Sequence, residues 1–126
     1  MRLDSNDNRK KRGIGLRFAW NGIMAVVKHE RNFRIHIVVA LLVMIVGVIV
    51  KLSVSEWLVL VLTIGFVLAM EMVNSAIETV LDYLKPEQHP MAKIIKDVAA
   101  GAVLIAAITS VVVGCLLFLP KLYSYL

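Results

Sequence analysis

Three uncharged apolar runs divide this chain: Ile37 to Val50, Trp57 to Met70 and Val98 to Leu119. The first is short of the ~20 residues a helix needs to cross a bilayer. Its span must therefore begin near Arg34, whose long side chain can reach back to the headgroups. The second run continues without a break through Glu71 to Tyr83. The pattern predicts transmembrane helices over 34–51, 57–83 and 97–119. Ahead of them, Leu16, Ala19, Trp20, Ile23, Val26 and Val27 recur at helical spacing, with Arg17, Asn21 and Lys28 on another face. That stretch is too short and too polar to span, so 16–29 reads as a helix lying in the membrane interface. Residues 1–15 read as a basic flexible tail. Its Gly13-x-Gly15 pair is no phosphate loop, since no Gly-x-x-x-x-Gly-Lys follows. Lys51 to Glu56 reads as a tight turn. Lys85 to Pro90 breaks the chain, with Pro86 and Pro90 as helix stops, and Met91 restarts a helix with Lys93 and Asp97 one turn apart. Pro120 and Lys121 are expected to end the third span, and Tyr123 and Tyr125 to sit in the far aromatic belt. The small residues from Ala99 to Ala107 suit close helix packing.

The second span carries a polar stripe. Glu71, Asn74, Ser75, Glu78 and Asp82 follow at offsets that fall on one side of a helix. Carboxylates in or near hydrocarbon are costly and mark function by default. With Trp57 at one interface, Glu71 lies ~21 Å along the axis, inside a ~30 Å core, whereas Glu78 and Asp82 reach the opposite rim.

Composition and charge fix the class and the orientation. In 126 residues, 60% hydrophobic with mean hydropathy +0.82, there is room for one all-α integral membrane domain. The net charge of +5 is concentrated beside the spans, which fits membrane orientation and anionic lipid rather than nucleic acid. Cys115, the single cysteine, lies in an apolar run and excludes an internal disulfide. The N-terminus has no apolar core of a cleavable signal. Twelve Lys and Arg precede the first span or lie between the second and third, against two elsewhere. The N-terminus and the 83–96 loop are therefore expected in the cytoplasm and the C-terminus outside. This gathers Glu30, Glu71, Glu78, Asp82, Glu87 and Asp97 towards the cytoplasmic face. So many polar groups exceed what three helices can enclose, and a homo-oligomer with sites between protomers is expected.

Carboxylates with Asn, Lys, Arg and His at a membrane–water boundary suit a nucleotide–metal site, because Mg²⁺ takes one or two protein carboxylates and completes its shell with phosphate and water. Phosphoryl transfer rests on positioning and charge neutralisation, so it needs no soluble kinase fold. Spacing alone leaves three readings open: lipid chemistry, a small proton-coupled exporter using Glu71, and a polar contact that fixes helix packing. Asn74 and Ser75 can equally bond a neighbouring helix. Glu30 and Arg34 can be a helix-end pair. His29, His36 and His89 are too dispersed to suggest a metal site.

The segment Glu71-Met-Val-Asn74-Ser75-Ala76-Ile77-Glu78-x-x-x-Asp82 resembles the signature of the prokaryotic diacylglycerol kinases. Trp20-Asn-Gly22, Glu30-Arg-Asn-Phe33-Arg34, Glu87-x-His89 and Lys96-Asp97-x-Ala-Ala-Gly-Ala-Val103 support it, so that the likeness covers roughly residues 16 to 121. It implies a homotrimer of three-span chains, each with an amphipathic surface helix, that transfers the γ-phosphoryl group of ATP to a membrane lipid. Glu30-Arg31-Asn32-Phe33 followed by His36, Glu56-Trp57, His89-Pro90-x-Ala92-Lys93 and Phe118-Leu119-Pro120-Lys121-Leu122 are similar to the Gram-positive branch, which phosphorylates undecaprenol. Ile35-His36 stands where the Gram-negative enzymes usually carry Gln-Glu, and Ala100 where they carry Ser, which argues against diacylglycerol as the main substrate. By the same resemblance Glu71 is the general base towards the lipid hydroxyl, and Glu30 and Glu78 hold the Mg²⁺ that bridges the ATP phosphates. Glu87, Gln88, His89, Lys96 and Asp97 surround the nucleotide with them, Gln88 standing where a Tyr is common. Asn74 orients base and substrate, and Lys11, Arg17, Trp20 and Arg34 belong to the phosphate and lipid-entry region.

Overall fold

A computed structural model describes residues 5–84 and 89–126, folded as four helices: α1 (Ser5–His29), α2 (Arg31–Ile49), α3 (Val54–Leu84) and α4 (Pro90–Tyr125). Helices α2, α3 and α4 are each long and apolar enough to cross a membrane. The 19 residues of α2 span ~28 Å, close to the hydrocarbon thickness, while the 31 of α3 and 36 of α4 run well past it. The surplus of α3 and α4 carries their polar ends beyond the apolar slab.

Each helix end has a local cause. A single extended residue, Glu30 (φ −107°, ψ 108°), separates α1 from α2. The α2–α3 turn closes α2 with paired backbone bonds, Leu52 N–H to Gly47 O at 3.1 Å and Lys51 N–H to Val48 O at 3.2 Å. This is the Schellman arrangement, and Lys51 takes its left-handed position at φ 58° where glycine is usual. Ser53 then starts α3 with a reciprocal capping box. Its Oγ accepts from Glu56 N–H at 3.2 Å, and Glu56 Oε1 accepts from Ser53 N–H at 3.1 Å. At the far end, Lys121 Nζ reaches Glu56 Oε1 at 3.2 Å and ties α4 to the same turn.

Several expected boundaries are corrected. α1 starts at Ser5, earlier than the surface helix expected from residue 16, and includes the basic run Arg9 to Arg12. Arg and Lys are good helix formers, and Gly13 and Gly15 cost only ~1 kcal/mol each in a helix. α2 begins at Arg31 instead of 34, and α3 begins at Val54 instead of 57. Pro90 is a start, not a stop: it occupies the first turn of α4, where its missing N–H has no partner to lose. Pro120 does not end α4, which continues to Tyr125. The ring removes one helical bond, that to the Leu116 carbonyl. The Lys121–Glu56 pair one residue later holds the end in place.

The core is small and sits beside the α2–α3 turn. Val50, Leu52 and Leu60 are buried there, with Val43, Trp57, Ile64, Leu117 and Phe118 packed against them. Gly47 makes this possible: a Cβ there would lie 2.9 Å from both Leu52 Cδ1 and Trp57 Cη2. Most other large apolar side chains of the spans face outward, as a membrane solvent permits.

Candidate active site

The polar stripe of α3 faces the start of α2 and the start of α4. Along it, each polar side chain from Glu71 to Asp82 has a different partner. Glu71, the deepest, puts Oε1 2.9 Å from Nε2 of His36 on α2, and the side chains keep 12% and 32% of their surface exposed. One turn on, Ser75 Oγ donates to Glu30 Oε1 at 3.0 Å. Asn74 Nδ2 donates weakly to Glu78 Oε1 at 3.4 Å. Near the end of the helix, Asp82 pairs with Lys96 of α4. Glu71, Asn74, Ser75 and Glu78 are all half-buried, whereas Asp82 is exposed.

Glu30 holds an unusual position. It occupies the N-cap of α2, where a carboxylate ordinarily accepts a first-turn N–H, yet it makes no such bond. Its carboxylate is turned to Ser75 across 45 residues of sequence. Ser75 is one turn from Glu78 on α3, so the two carboxylates expected to hold a metal are brought to the same turn of the stripe. Beside them, Asn74 Oδ1 is buried without a partner among the described residues. A buried carbonyl oxygen left unpaired costs free energy unless something else satisfies it. Two carboxylates and a free carbonyl oxygen are a hard-oxygen donor set, which suits Mg²⁺ sharing its shell with phosphate and water. Among the described residues no cluster of three or more His, Cys, Asp or Glu forms a cage made by protein alone.

The remaining expected residues divide. Lys96 and Asp97 lie at the start of α4, the first bonded to Asp82 and the second to Lys93 at 2.7 Å, as the one-turn spacing anticipates. His89 caps α4: its Nδ1 accepts from Met91 N–H at 3.1 Å. Glu87 and Gln88 lie outside the described residues. Arg34 is turned away from Glu30. Its Nη1 donates to the Val27 and Lys28 carbonyls, each at 2.8 Å, and so closes the C-terminal end of α1. Arg17 and Trp20 are exposed on α1, and no hydrogen bond or ion pair among the described residues joins them to the stripe. Lys11 falls within α1, its side chain outside the described residues.

Sequence reasoning missed His36. A histidine in the first turns of an apolar span was a signal in itself, since ionisable groups there seldom lack a purpose. His36 also lines a cavity of about 240 Å³ between the three spans, walled by Val39 and Val43 of α2, Leu60 and Ile64 of α3 and Phe118 of α4. Glu71 and His36 thus meet where a hydrocarbon-lined space gives way to the polar stripe.

Comparison with known proteins finds relatives along most of the chain. The family model described as prokaryotic diacylglycerol kinase matches residues 17–118. An undecaprenol kinase of Bacillus subtilis is 41% identical over 95% of this chain and 100% of its own. A diacylglycerol kinase of Synechocystis is 41% identical over 88% of this chain and 64% of its own. One of Escherichia coli K12 is 32% identical over 79% of this chain and 82% of its own.

Proposed function

Because the chain belongs to the prokaryotic diacylglycerol kinase family and is a membrane lipid kinase, we propose that it transfers the γ-phosphoryl group of ATP to the hydroxyl of undecaprenol, with diacylglycerol as a lesser substrate. The observation that carries this reading is the division of the α3 stripe by depth. Glu71 pairs with His36, which lines a largely apolar cavity, while Glu78 lies seven residues, ~10 Å, nearer the helix end and shares its turn with the Glu30–Ser75 contact. The full-length likeness to an undecaprenol kinase supports the choice of lipid. Membership of a kinase family leaves the exporter reading without support.

In this reading the lipid hydroxyl gives its proton to Glu71 as its oxygen attacks the γ-phosphorus, and the bond to the bridging oxygen breaks to release ADP. Glu30 and Glu78, with the Asn74 oxygen nearby, would hold Mg²⁺, which neutralises charge on the phosphates. Lys96 and Asp97 at the start of α4 stand near the nucleotide, together with Glu87, Gln88 and His89. Lys11, Arg17, Trp20 and Arg34 serve the entry of the lipid from the surface helix. The Lys and Arg distribution supports a cytoplasmic N-terminus and site, with the C-terminus outside.

Purified protein given ATP, Mg²⁺ and either lipid tests the reading directly. Phosphorylated undecaprenol should form with the higher kcat/KM; a clear preference for diacylglycerol would reverse the substrate assignment, and no product from either would end it.

A further inference from the structure

His36 is the residue the proposed chemistry leaves unused, although it makes the closest contact to the proposed base. At 2.9 Å, Nε2 of His36 is within polar contact of Glu71 Oε1, where an imidazole N–H gives the carboxylate a donor. We infer that His36 is a positioning residue for Glu71: its Nε2–H donates to Oε1 and fixes the carboxylate, leaving Oε2 as the oxygen that takes the lipid hydroxyl's proton. This inference rests on the reading of Glu71 as the base.

The location supports the assignment. Glu71 is most of the way buried, and a free carboxylate on a single-helix tether would sample several rotamers in that space. Of the side chains lining the cavity, His36 is the one that makes an ion-pair contact with Glu71 among the described residues. The other polar groups of the stripe are directed elsewhere: Ser75 to Glu30, Asn74 to Glu78 and Asp82 to Lys96. Nor does packing account for it. An imidazole between Ile35 and Ile37, at the end of an apolar cavity, is a poorer filler than Leu unless its N–H has an acceptor. A base held in place by a donor loses less on reaching the reactive geometry, and a misplacement of ~1 Å can cost ~100-fold in rate.

The test uses the full chain in lipid nanodiscs. His36→Leu keeps the volume and removes the donor, whereas His36→Gln keeps an N–H able to reach Oε1. His36→Leu should lower kcat by about 10- to 100-fold with both KM values within about 2-fold, and His36→Gln should restore at least about a third of the wild-type kcat. In a Glu71→Asp background, which withdraws the carboxylate by one methylene, His36→Leu should add nothing. Wild-type kcat in His36→Leu, a loss confined to KM, or equal losses in Leu and Gln variants would each overturn the inference. Should His36→Leu fail to fold, ¹⁵N-histidine spectra of the unaltered chain decide. Glu71→Gln must move the His36 ring resonances and leave those of His29 and His89 in place, and an unmoved His36 refutes the contact. Turnover retained by Glu71→Gln would instead remove the base reading itself, whereas an inert His36 beside a dead Glu71→Gln removes only the positioning role.

Discussion

At the scale of single residues, the proposed mechanism separates the roles of two otherwise similar glutamates by depth. Glu71→Gln keeps shape but cannot take a proton, so kcat should fall by more than about 100-fold while ATP binding persists. Glu78→Gln should instead raise the KM for Mg·ATP; steady-state kinetics on both variants separates these outcomes, and the reverse pattern would exchange their roles. Two residues of the α2–α3 turn have structural tasks. Gly47→Ala drives a Cβ against Leu52 and the rigid Trp57 ring, an overpacking that should cost about 1–3 kcal/mol in the denaturation midpoint. Lys51 carries a left-handed backbone on a side chain poorly suited to it, at φ 58°. Lys51→Gly should therefore stabilise by about 0.5 kcal/mol, and Lys51→Val should destabilise by more than that, the opposite signs being the test. These residues also show where sequence stops being informative. Glu71 stands out because polarity inside an apolar run is visible locally. Its partner His36 stands out only once α2 and α3 are side by side, and Ser75 meets Glu30 across 45 positions that no periodicity connects.

At the scale of elements, the three spans were legible because each rests on a long uncharged run whose burial in lipid needs no tertiary partner. Their ends were not, because ends depend on caps. Ser53 and Glu56 satisfy each other's backbone N–H groups and so start α3 before Trp57. Ser53→Ala should lower stability by about 1 kcal/mol, and Glu56→Gln should cost less, since it keeps an acceptor for the Ser53 N–H while weakening the tie to Lys121. Thermal unfolding in a fixed detergent measures both. Proline misled for the same reason. Whether it stops or starts a helix depends on which carbonyls lie behind it: Pro90 follows a non-helical His89, and Pro120 sits in a helix already held from both sides. Arg34, expected in the phosphate and lipid-entry region, also closes α1 through backbone carbonyls, a bond that leaves no trace in residue identity.

At the scale of the whole molecule, few of the described side chains are buried, and the buried cluster lies by the α2–α3 turn rather than around the polar stripe. Glu30, Asn74 and Glu78 are only half-buried in the single chain. In the homotrimer that the family resemblance implies, a neighbouring chain would complete the site. Cross-linking in native membranes should yield trimers. Mixing chains disabled at Glu71 with chains disabled at Glu78 should restore turnover when the site is shared and none when each protomer is self-sufficient.

The one-residue junction at Glu30 has a mechanical consequence. α1 is 25 residues long, so it forms an arm of ~37 Å pivoting where its end is clamped by Arg34. The Glu30 carboxylate lies within only a few ångströms of that pivot. Rocking α1 by about 10° would carry its far end ~6 Å but displace the carboxylate by less than ~1 Å. The junction is a lever with very unequal arms: a swing of α1 about it would move the far end of the helix far more than the Glu30 carboxylate.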